Sequence, residues 1–284
     1  MTSSTIRPRR SFLFVPGTGL HMFPKAIGTG ADIVCIDLED AIAPQHKDEA
    51  RSSTMEMFQG APDFGRSEVL FRINSLRTAD ALRDLLGVIE VATPPTGLMV
   101  PKVKSPDEIR LLDELLTGAD SPLRLQVIIE TNQGLESAHE IAQASDRVDS
   151  LLFGGVDMAA ELRVEPTWEG LLYARTRCVH AAAMAEIDLI DVPFLDLNDM
   201  AGLETEAARC QAIGMTGKGA IHPKQLPVIE KTFSPSDEQI AEAKRIIQAF
   251  EDAGTGLVVV DNKLIEKPVL RSMYRILSIA EAMA

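Results

Sequence analysis

The sequence predicts an α/β fold in which eight parallel strands close into a (β/α)8 barrel, with a C-terminal extension of helices and a hairpin. Runs of strand length alternate with segments of helical periodicity along most of the chain. The strand-length runs are apolar throughout rather than at every second position, which is typical of strands that helices cover on both faces. A doubly wound open sheet is the alternative that this pattern leaves open.

The predicted strands are short and are distributed along the first four fifths of the chain. They cover residues 11–16, 32–38, 69–74, 97–103, 124–130, 150–155, 188–193 and 217–223. Apolar residues near i, i+3, i+4 and i+7 predict helices between them, over residues 106–118, 135–145, 170–186 and 203–214. Eight units of this kind favour the closed barrel over the open sheet.

The alternation of strands and helices ends after Pro235. Residues 236–254 form a predicted exposed helix that ends at Gly254, residues 257–268 contain a turn at positions 261–263, and residues 269–284 form a closing helix. We therefore predict a catalytic barrel over residues 1–233 and an extension over residues 234–284. The extension is expected to pack on the barrel or on a neighbouring subunit.

The net charge of −14 disfavours nucleic acid and anionic membranes as partners, because both carry negative charge. No apolar run reaches the roughly 20 residues that span a bilayer, and the N-terminal segment does not have the pattern of a signal peptide. The three cysteines are far apart and form no CxxC pair, so we expect them to be structural residues in a reducing environment. These features predict a cytoplasmic protein that acts on small molecules.

Charged and polar residues follow most of the predicted strands, at the end of a barrel where active sites lie. The set contains no Ser-His-Asp arrangement, no P-loop and no Cys/His cluster, and it therefore indicates an oxygen-ligated divalent cation. Its members are Asp37, Glu39, Asp40, Arg72, Asn74, Lys102, Glu130, Asp157, Asp191, Asp196, Lys218 and His222.

Glu130 and Asp157 are the predicted metal ligands. Glu130 ends the apolar run "LQVIIE", and Asp157 follows the next run after a Gly-Gly step that allows close approach of the backbone. Two neighbouring carboxylates repel each other, and Mg²⁺ between them removes that conflict. The alternative is that each residue only caps the helix that follows it.

Several motifs, taken in order, resemble the citrate lyase β-subunit-like (CitE-like) family of the HpcH/HpaI aldolase superfamily, which includes malyl-CoA, citramalyl-CoA and citryl-CoA lyases. The motifs are "RSFLFVPG", "DLEDAIAPQHKDEAR", "FRIN", "VPKV", "IIETNQG", "FGGVD" and "GMTGKGAIHPKQ". The resemblance implies a TIM barrel that usually forms a homotrimer and binds Mg²⁺ through Glu130 and Asp157. It also implies cleavage of a 3-hydroxyacyl-CoA thioester into acetyl-CoA and a 2-oxo acid, with Arg72 contacting a substrate oxygen.

The acidic cluster Asp37, Glu39 and Asp40 is expected to support this site. These side chains would accept hydrogen bonds from metal-bound waters and would hold Arg72 and Lys102 in place. We predict that Glu39 and Asp40 take part in catalysis with Arg72. For Asp40, stabilisation of the helix N-terminus near Pro44 is an equal alternative.

The resemblance also implies an acid that transfers a proton to the enolate carbon. The family carries an Asp in a C-terminal "IDxP"-like segment, and the matching "LIEKP" has Glu266 instead. A solvent-exposed residue without a role is the alternative for Glu266. For CoA we expect contacts from Arg10 and Lys25, predicted near the mouth of the barrel, and from Phe14, which is equally a core residue.

Two other functions remain open from the sequence. One is a class II aldolase that acts on free 2-oxo acid aldols with a similar Glu/Asp metal pair. The other is a non-catalytic subunit that binds an organic acid or CoA. Within the lyase interpretation, the sequence does not distinguish malyl-CoA, methylmalyl-CoA, citramalyl-CoA and citryl-CoA as substrates.

Overall fold

A computed structural model of the protein describes residues 7–253, 257–261 and 263–283. Eight strands form a closed barrel in which each strand pairs in parallel with the next and β8 pairs with β1. The predicted barrel is confirmed and the open sheet is excluded. The strands are β1 Ser11–Pro16, β2 Ile33–Asp37, β3 Glu68–Arg72, β4 Gly97–Val100, β5 Arg124–Ile129, β6 Val148–Phe153, β7 Asp188–Asp191 and β8 Gly217–Ala220.

Helices follow the strands, as parallel crossovers require. Within residues 9–230 they are α1 Phe23–Ile27, α2 Lys47–Gln59, α3 Ala79–Glu90, α4 Pro106–Gly118, α5 Asn132–Glu136, α6 Ala138–Ala142, α7 Gly155–Leu162, α8 Trp168–Ala185, α9 Met200–Ile213 and the start of α10 Leu226–Phe233. The single helix predicted over 135–145 is wrong. Ser137, at φ −93° and ψ 15°, leaves the helical region and separates α5 from α6.

One layer of buried side chains fills the barrel and supports its mouth. Seven strands contribute to it, and Phe14 packs on its upper side. The members are Phe12, Ile33, Cys35, Leu70, Met99, Ile128, Leu152 and Ile190. Because side chains alternate along a strand, this layer fixes which residues of each strand point into the cavity above it.

Arg10 lies at the opposite end of the barrel from the mouth, so its prediction as a CoA contact near the mouth is wrong. It precedes β1, and its guanidinium bonds the Asp32 carboxylate just before β2, with Nε 2.8 Å from Oδ2. Arg9 pairs nearby with Glu68, the first residue of β3. The N-terminal ends of the strands are therefore held together by ion pairs.

The described residues divide into two compact units, one formed by residues 9–230 and the other by residues 7–8 with the described residues from 231 onward. The second unit contains α11 Asp237–Ala253, the antiparallel strands β9 Leu257–Val260 and β10 Lys263–Glu266, and α12 Lys267–Met283. Gly254, the predicted end of the first of these helices, and the middle residue of the predicted turn, Asn262, lie outside the described residues. None of the described helices combines the length and hydropathy that a bilayer span requires.

A buried ion network joins β7, β8 and the helices that cover them. Asp191 accepts hydrogen bonds from Lys218 and from Arg175, whose Nε lies 3.0 Å from Oδ1. Lys218, fully buried, also donates to Glu206 Oε1 at 2.7 Å and to the Val192 carbonyl at 2.8 Å. Each buried charge in this network therefore depends on the others for a partner.

We expect Asp191→Asn to lower the free energy of unfolding by about 3–5 kcal/mol, because the buried Arg175 then loses the carboxylate that it pairs with and Lys218 keeps only Glu206 as a counter-ion. Urea denaturation at pH 7 measures this loss. Asp107→Asn is the control, because it removes an ion pair with Arg110 whose side chains are largely exposed. Equal losses in the two variants would contradict the assigned role of the network.

Candidate metal and substrate site

A cavity of about 310 Å³ opens at the C-terminal ends of the barrel strands. Five charged side chains and a larger set of apolar ones line it. The charged residues are Asp37, Asp40, Arg72, Glu130 and Asp157, and the apolar residues are Phe14, Pro16, Ala41, Ile128, Leu152, Val156, Val192, Pro193, Leu195 and Ile221. The structure thus brings most of the predicted site residues together in one place.

Local sequence explains why Glu130 and Asp157 converge. Ile129 pairs with Phe153 in register, so the residues that follow β5 and β6 leave the barrel side by side. A Cβ atom on Gly154 would lie 2.5 Å from both Cβ and Oε2 of Glu130, and only glycine leaves room for that carboxylate. Asp157 then falls in the first turn of α7.

Glu130 is a buried carboxylate in a negative environment. Its Oε1 accepts a hydrogen bond of 2.8 Å from the backbone N–H of Lys102, a residue with left-handed backbone geometry at φ 56°. Burial, followed by the negative charges of Asp157 and Glu39, raises the pKa of Glu130 to about 8. A cation beside this carboxylate would stabilise its ionised form.

The donor set fits Mg²⁺. Glu130 and Asp157 are two of the four carboxylates that line the cavity, and within the part of the chain that the structure describes no group of three or more His, Cys, Asp or Glu side chains could hold a metal. Mg²⁺ typically takes one or two protein carboxylates and fills its remaining positions with water and substrate oxygens. The two acids together with the open cavity match that pattern.

Arg72 is held by the acids of the loop after β2. In the register of β2 and β3, Asp37 lies opposite Arg72. The guanidinium bonds both carboxylate oxygens of Asp37, with Nε 2.7 Å from Oδ1, and its Nη1 lies 3.5 Å from Oε2 of Glu39. Its Cζ also lies 5.3 Å from the centre of the Phe14 ring. Arg72 therefore has a fixed orientation beside the cavity.

Lys102 pairs with two acids of the loop after β2, Glu39 and Asp40. Its Nζ contacts Glu39 Oε1 and lies 2.8 Å from both carboxylate oxygens of Asp40. Burial raises the pKa of Glu39, and the hydrogen bond from Lys102 opposes that rise. The acids thus hold Arg72 and Lys102 as expected, and for Asp40 this contact favours the site over a role at the helix near Pro44. Their contacts with metal-bound water stay a prediction.

Two features of the site were missed by the sequence reasoning. Lys47 donates to the carbonyls of Leu38 and Glu39, at 3.2 and 3.0 Å, and to Oδ1 of Asn74 at 2.5 Å, so it fixes the acidic loop. The position of Lys47 at the start of α2 did not indicate these hydrogen bonds. The apolar residues of the lining form one wall of the cavity, the apolar wall. The sequence prediction missed this wall because it rested on charged residues at strand ends.

Three predicted site residues remain to be placed, and one of them lines the cavity. Phe14 lines the cavity, whereas Lys25 is an exposed residue of α1 and does not. Glu266 is exposed and ends β10, next to the buried Ile265. The roles proposed for Lys25 and Glu266 therefore remain predictions.

Known proteins resemble this chain over nearly its whole length. The profile of the HpcH/HpaI aldolase/citrate lyase family matches residues 10–223. The chain is 32% identical to citrate lyase subunit beta of Leuconostoc mesenteroides subsp. cremoris, over 97% of this chain and 94% of that protein. It is 31% identical to the mitochondrial citramalyl-CoA lyase of Homo sapiens, over 96% of this chain and 86% of that protein.

A solved structure shows the same similarity in three dimensions. Protein CitE from Mycobacterium tuberculosis, in complex with magnesium, acetoacetate and coenzyme A, superposes with a TM-score of 0.80 at 30% identity. The match covers 97% of this chain and all of that one. The barrel and the additional C-terminal elements therefore have counterparts in a protein of known structure.

Gly154→Ala is expected to weaken Mg²⁺ binding at least tenfold, because the new Cβ atom displaces the Glu130 carboxylate. Isothermal titration with MgCl₂ measures the change. Gly118→Ala is the matched control, since a Cβ atom there meets no atom within 4 Å. Unchanged Mg²⁺ affinity in Gly154→Ala would contradict the assignment of Glu130 as a ligand.

Mg²⁺ affinity is expected to rise with pH and to level off above about pH 8. Below that value Glu130 carries a proton that Mg²⁺ must displace, so the Kd should increase about tenfold for each pH unit of acidification. Titrations between pH 6 and 9 test this slope, with Glu130→Gln as the variant that removes it. A Kd that is constant over this range would rule out the protonated carboxylate.

Proposed function

The chain belongs to the HpcH/HpaI aldolase/citrate lyase family, and we propose that it is an Mg²⁺-dependent acyl-CoA lyase. The reaction is cleavage of the carbon–carbon bond of a 3-hydroxyacyl-CoA thioester, which releases acetyl-CoA or a related acyl-CoA and a 2-oxo acid. The observation that carries this proposal is the convergence of Glu130, Asp157 and Arg72 on one cavity. Relatives named for malyl-CoA, citramalyl-CoA and citrate cleavage support the reaction class.

Glu130 and Asp157 would hold the metal ion, which acts as a Lewis acid toward the oxygens of the 2-oxo acid portion. Glu130 must be ionised for this role, and the N–H of Lys102 stabilises its ionised form. The solved structure of CitE from Mycobacterium tuberculosis in complex with magnesium, acetoacetate and coenzyme A supports a magnesium ion in this role. These two residues also orient the substrate relative to Arg72.

Arg72 is the group that we assign to the thioester oxygen. Cleavage leaves negative charge on that oxygen, and a fixed guanidinium donor stabilises it without rearrangement. Asp37 and Glu39 hold the guanidinium beside the cavity. Glu39 and Asp40 in turn hold Lys102, so the acidic loop positions both cations of the site.

The acyl-CoA carbanion must receive a proton at carbon, and we assign this step to Glu266. The assignment rests on the match of "LIEKP" to the family segment that carries an Asp. A carboxyl group suits general acid–base transfer to carbon. Glu is one methylene longer than Asp, so the reach of the group differs from that in the family. Phe14 and Lys25 are the CoA contacts that we retain, and a homotrimer is the assembly that we expect.

Glu266→Gln is expected to lower acyl-CoA cleavage at least a hundredfold, because an amide cannot transfer the proton. Glu266→Asp should retain most of the activity. Cleavage is followed by release of the 2-oxo acid with malyl-CoA, citramalyl-CoA and citryl-CoA as substrates, and Glu242→Gln, at another exposed acid of the second unit, is the control.

The same assay tests the proposed function as a whole. Glu130→Gln or complete chelation of the metal should abolish cleavage of every acyl-CoA. Cleavage of a free 2-oxo acid aldol with no activity toward any thioester would instead identify an aldolase. Binding of Mg²⁺ and oxo acid with no turnover of either substrate class would identify a non-catalytic subunit.

A further inference from the structure

The charges around the cavity leave no cation for a second substrate carboxylate. Arg72 is the only basic residue that lines the cavity within the described part of the chain, and both of its hydrogen bonds to a carboxylate go to Asp37. The ammonium group of Lys102, behind the lining, contacts Glu39 and Asp40. Both cations already pair with acids of the protein, and Arg72 is also assigned to the thioester oxygen, so a second substrate carboxylate has neither cation as a partner of its own.

The formal charge of the site supports the same conclusion. Four lining carboxylates and Glu39 face two cations, which leaves −3, and a divalent metal ion changes this to −1. The carboxylate that every 2-oxo acid carries next to its oxo group has the metal as its partner. A second carboxylate would enter a negative field with no partner.

The rest of the cavity is apolar down to the barrel core. Ile128 and Leu152 belong to the buried layer of the barrel, and Phe14 packs on that layer. Leu195 and Ile221, 61% and 42% exposed, keep the outer rim apolar as well. A methyl group against this surface gains about fourfold in affinity from its burial, whereas a carboxylate there loses its hydration without a hydrogen-bond partner.

The apolar wall is fixed in place by its surroundings. Lys218 holds the carbonyl of Val192, and a Cβ atom on Gly219 would lie 2.7 Å from Cγ of Pro193. On the other side, a Cβ atom on Gly155 would lie 3.0 Å from Cγ1 of Val192. With this close packing behind it, the wall does not retreat readily to admit water or a counter-ion around a charged substituent.

From these observations we infer that the 2-oxo acid formed at this site carries one carboxylate and a small apolar substituent, as pyruvate does, and that the site rejects dicarboxylates such as oxaloacetate. The inference rests on the proposed function, because it assigns the cavity to the 2-oxo acid. It selects the citramalyl-CoA type of substrate over the citryl-CoA type for this chain.

The test measures equilibrium binding of three 2-oxo acids by isothermal titration with saturating Mg²⁺. Pyruvate is expected to bind at least tenfold more tightly than oxaloacetate in low salt. The compound 4-methyl-2-oxopentanoate, whose branched substituent has the shape of the oxaloacetate carboxymethyl group without its charge, should bind more tightly than oxaloacetate. The preference for pyruvate over oxaloacetate should shrink in 0.5 M NaCl, because salt screens repulsion between charges.

A single substitution at the rim adds the missing cation. Leu195→Arg should narrow the preference for pyruvate over oxaloacetate at least threefold, and Leu195→Gln, which changes polarity without charge, should narrow it less. The exposed position of Leu195 makes both variants compatible with folding.

The possible outcomes separate the inference from the proposed function. The inference is overturned if oxaloacetate binds as tightly as pyruvate, or if 4-methyl-2-oxopentanoate binds as weakly as oxaloacetate. Either result leaves the lyase proposal intact. The same holds if Leu195→Arg does not change the preference. If none of the three acids binds in an Mg²⁺-dependent way, the proposed function fails and the inference fails with it.

Discussion

The negative environment of the buried Glu130 carboxylate at the mouth of the barrel is the constraint on which the site depends. The charges of Asp157 and Glu39 act on Glu130, and burial is a larger effect that also disfavours its ionised form. Such a cluster costs folding free energy unless a cation accompanies it. The protein supplies Arg72 and Lys102 to one side of the cluster, and we propose a metal ion as the partner of Glu130 and Asp157. On this proposal, the same acids set both stability and metal binding.

The barrel converts short sequence features into this geometry. In-register pairing places Asp37 beside Arg72 and brings the end of β5 next to the end of β6. The absence of a side chain at Gly154 then admits Glu130. The buried layer beneath the cavity also forms part of its apolar surface. The same packing thus supports the two proposed metal ligands and sets the polarity of the cavity to which we assign the substrate.

Much of the barrel could be predicted from sequence because its strands are continuous apolar runs and its polar residues follow them. The positions of Glu130 and Asp157 at the mouth of the barrel could be predicted for this reason. Arg10 was misplaced because its closeness to β1 was taken as closeness to the mouth. A residue that precedes a strand lies at the opposite end of the barrel from the residues that follow the strand. The helix breaks at Ser137 just after two carbonyls that Arg177 bonds, and the left-handed Lys102 bonds Glu130 through its N–H. Both sets of contacts join residues far apart in sequence, so no local pattern reveals them. The apolar wall comes from segments far apart in sequence, which the charged motifs did not connect.

Lys102 contributes to the site through its main chain and its side chain independently. Its backbone N–H orients Glu130, and this contact depends on the left-handed conformation rather than on the identity of the residue. Its ammonium group pairs with Glu39 and Asp40, and these ion pairs require a lysine side chain at this position. A change of side chain at this position therefore alters the charge beside the cavity, whereas the backbone contact that orients the Glu130 carboxylate is kept. Position 102 thus separates the orientation of a proposed metal ligand from the electrostatic potential that a substrate meets.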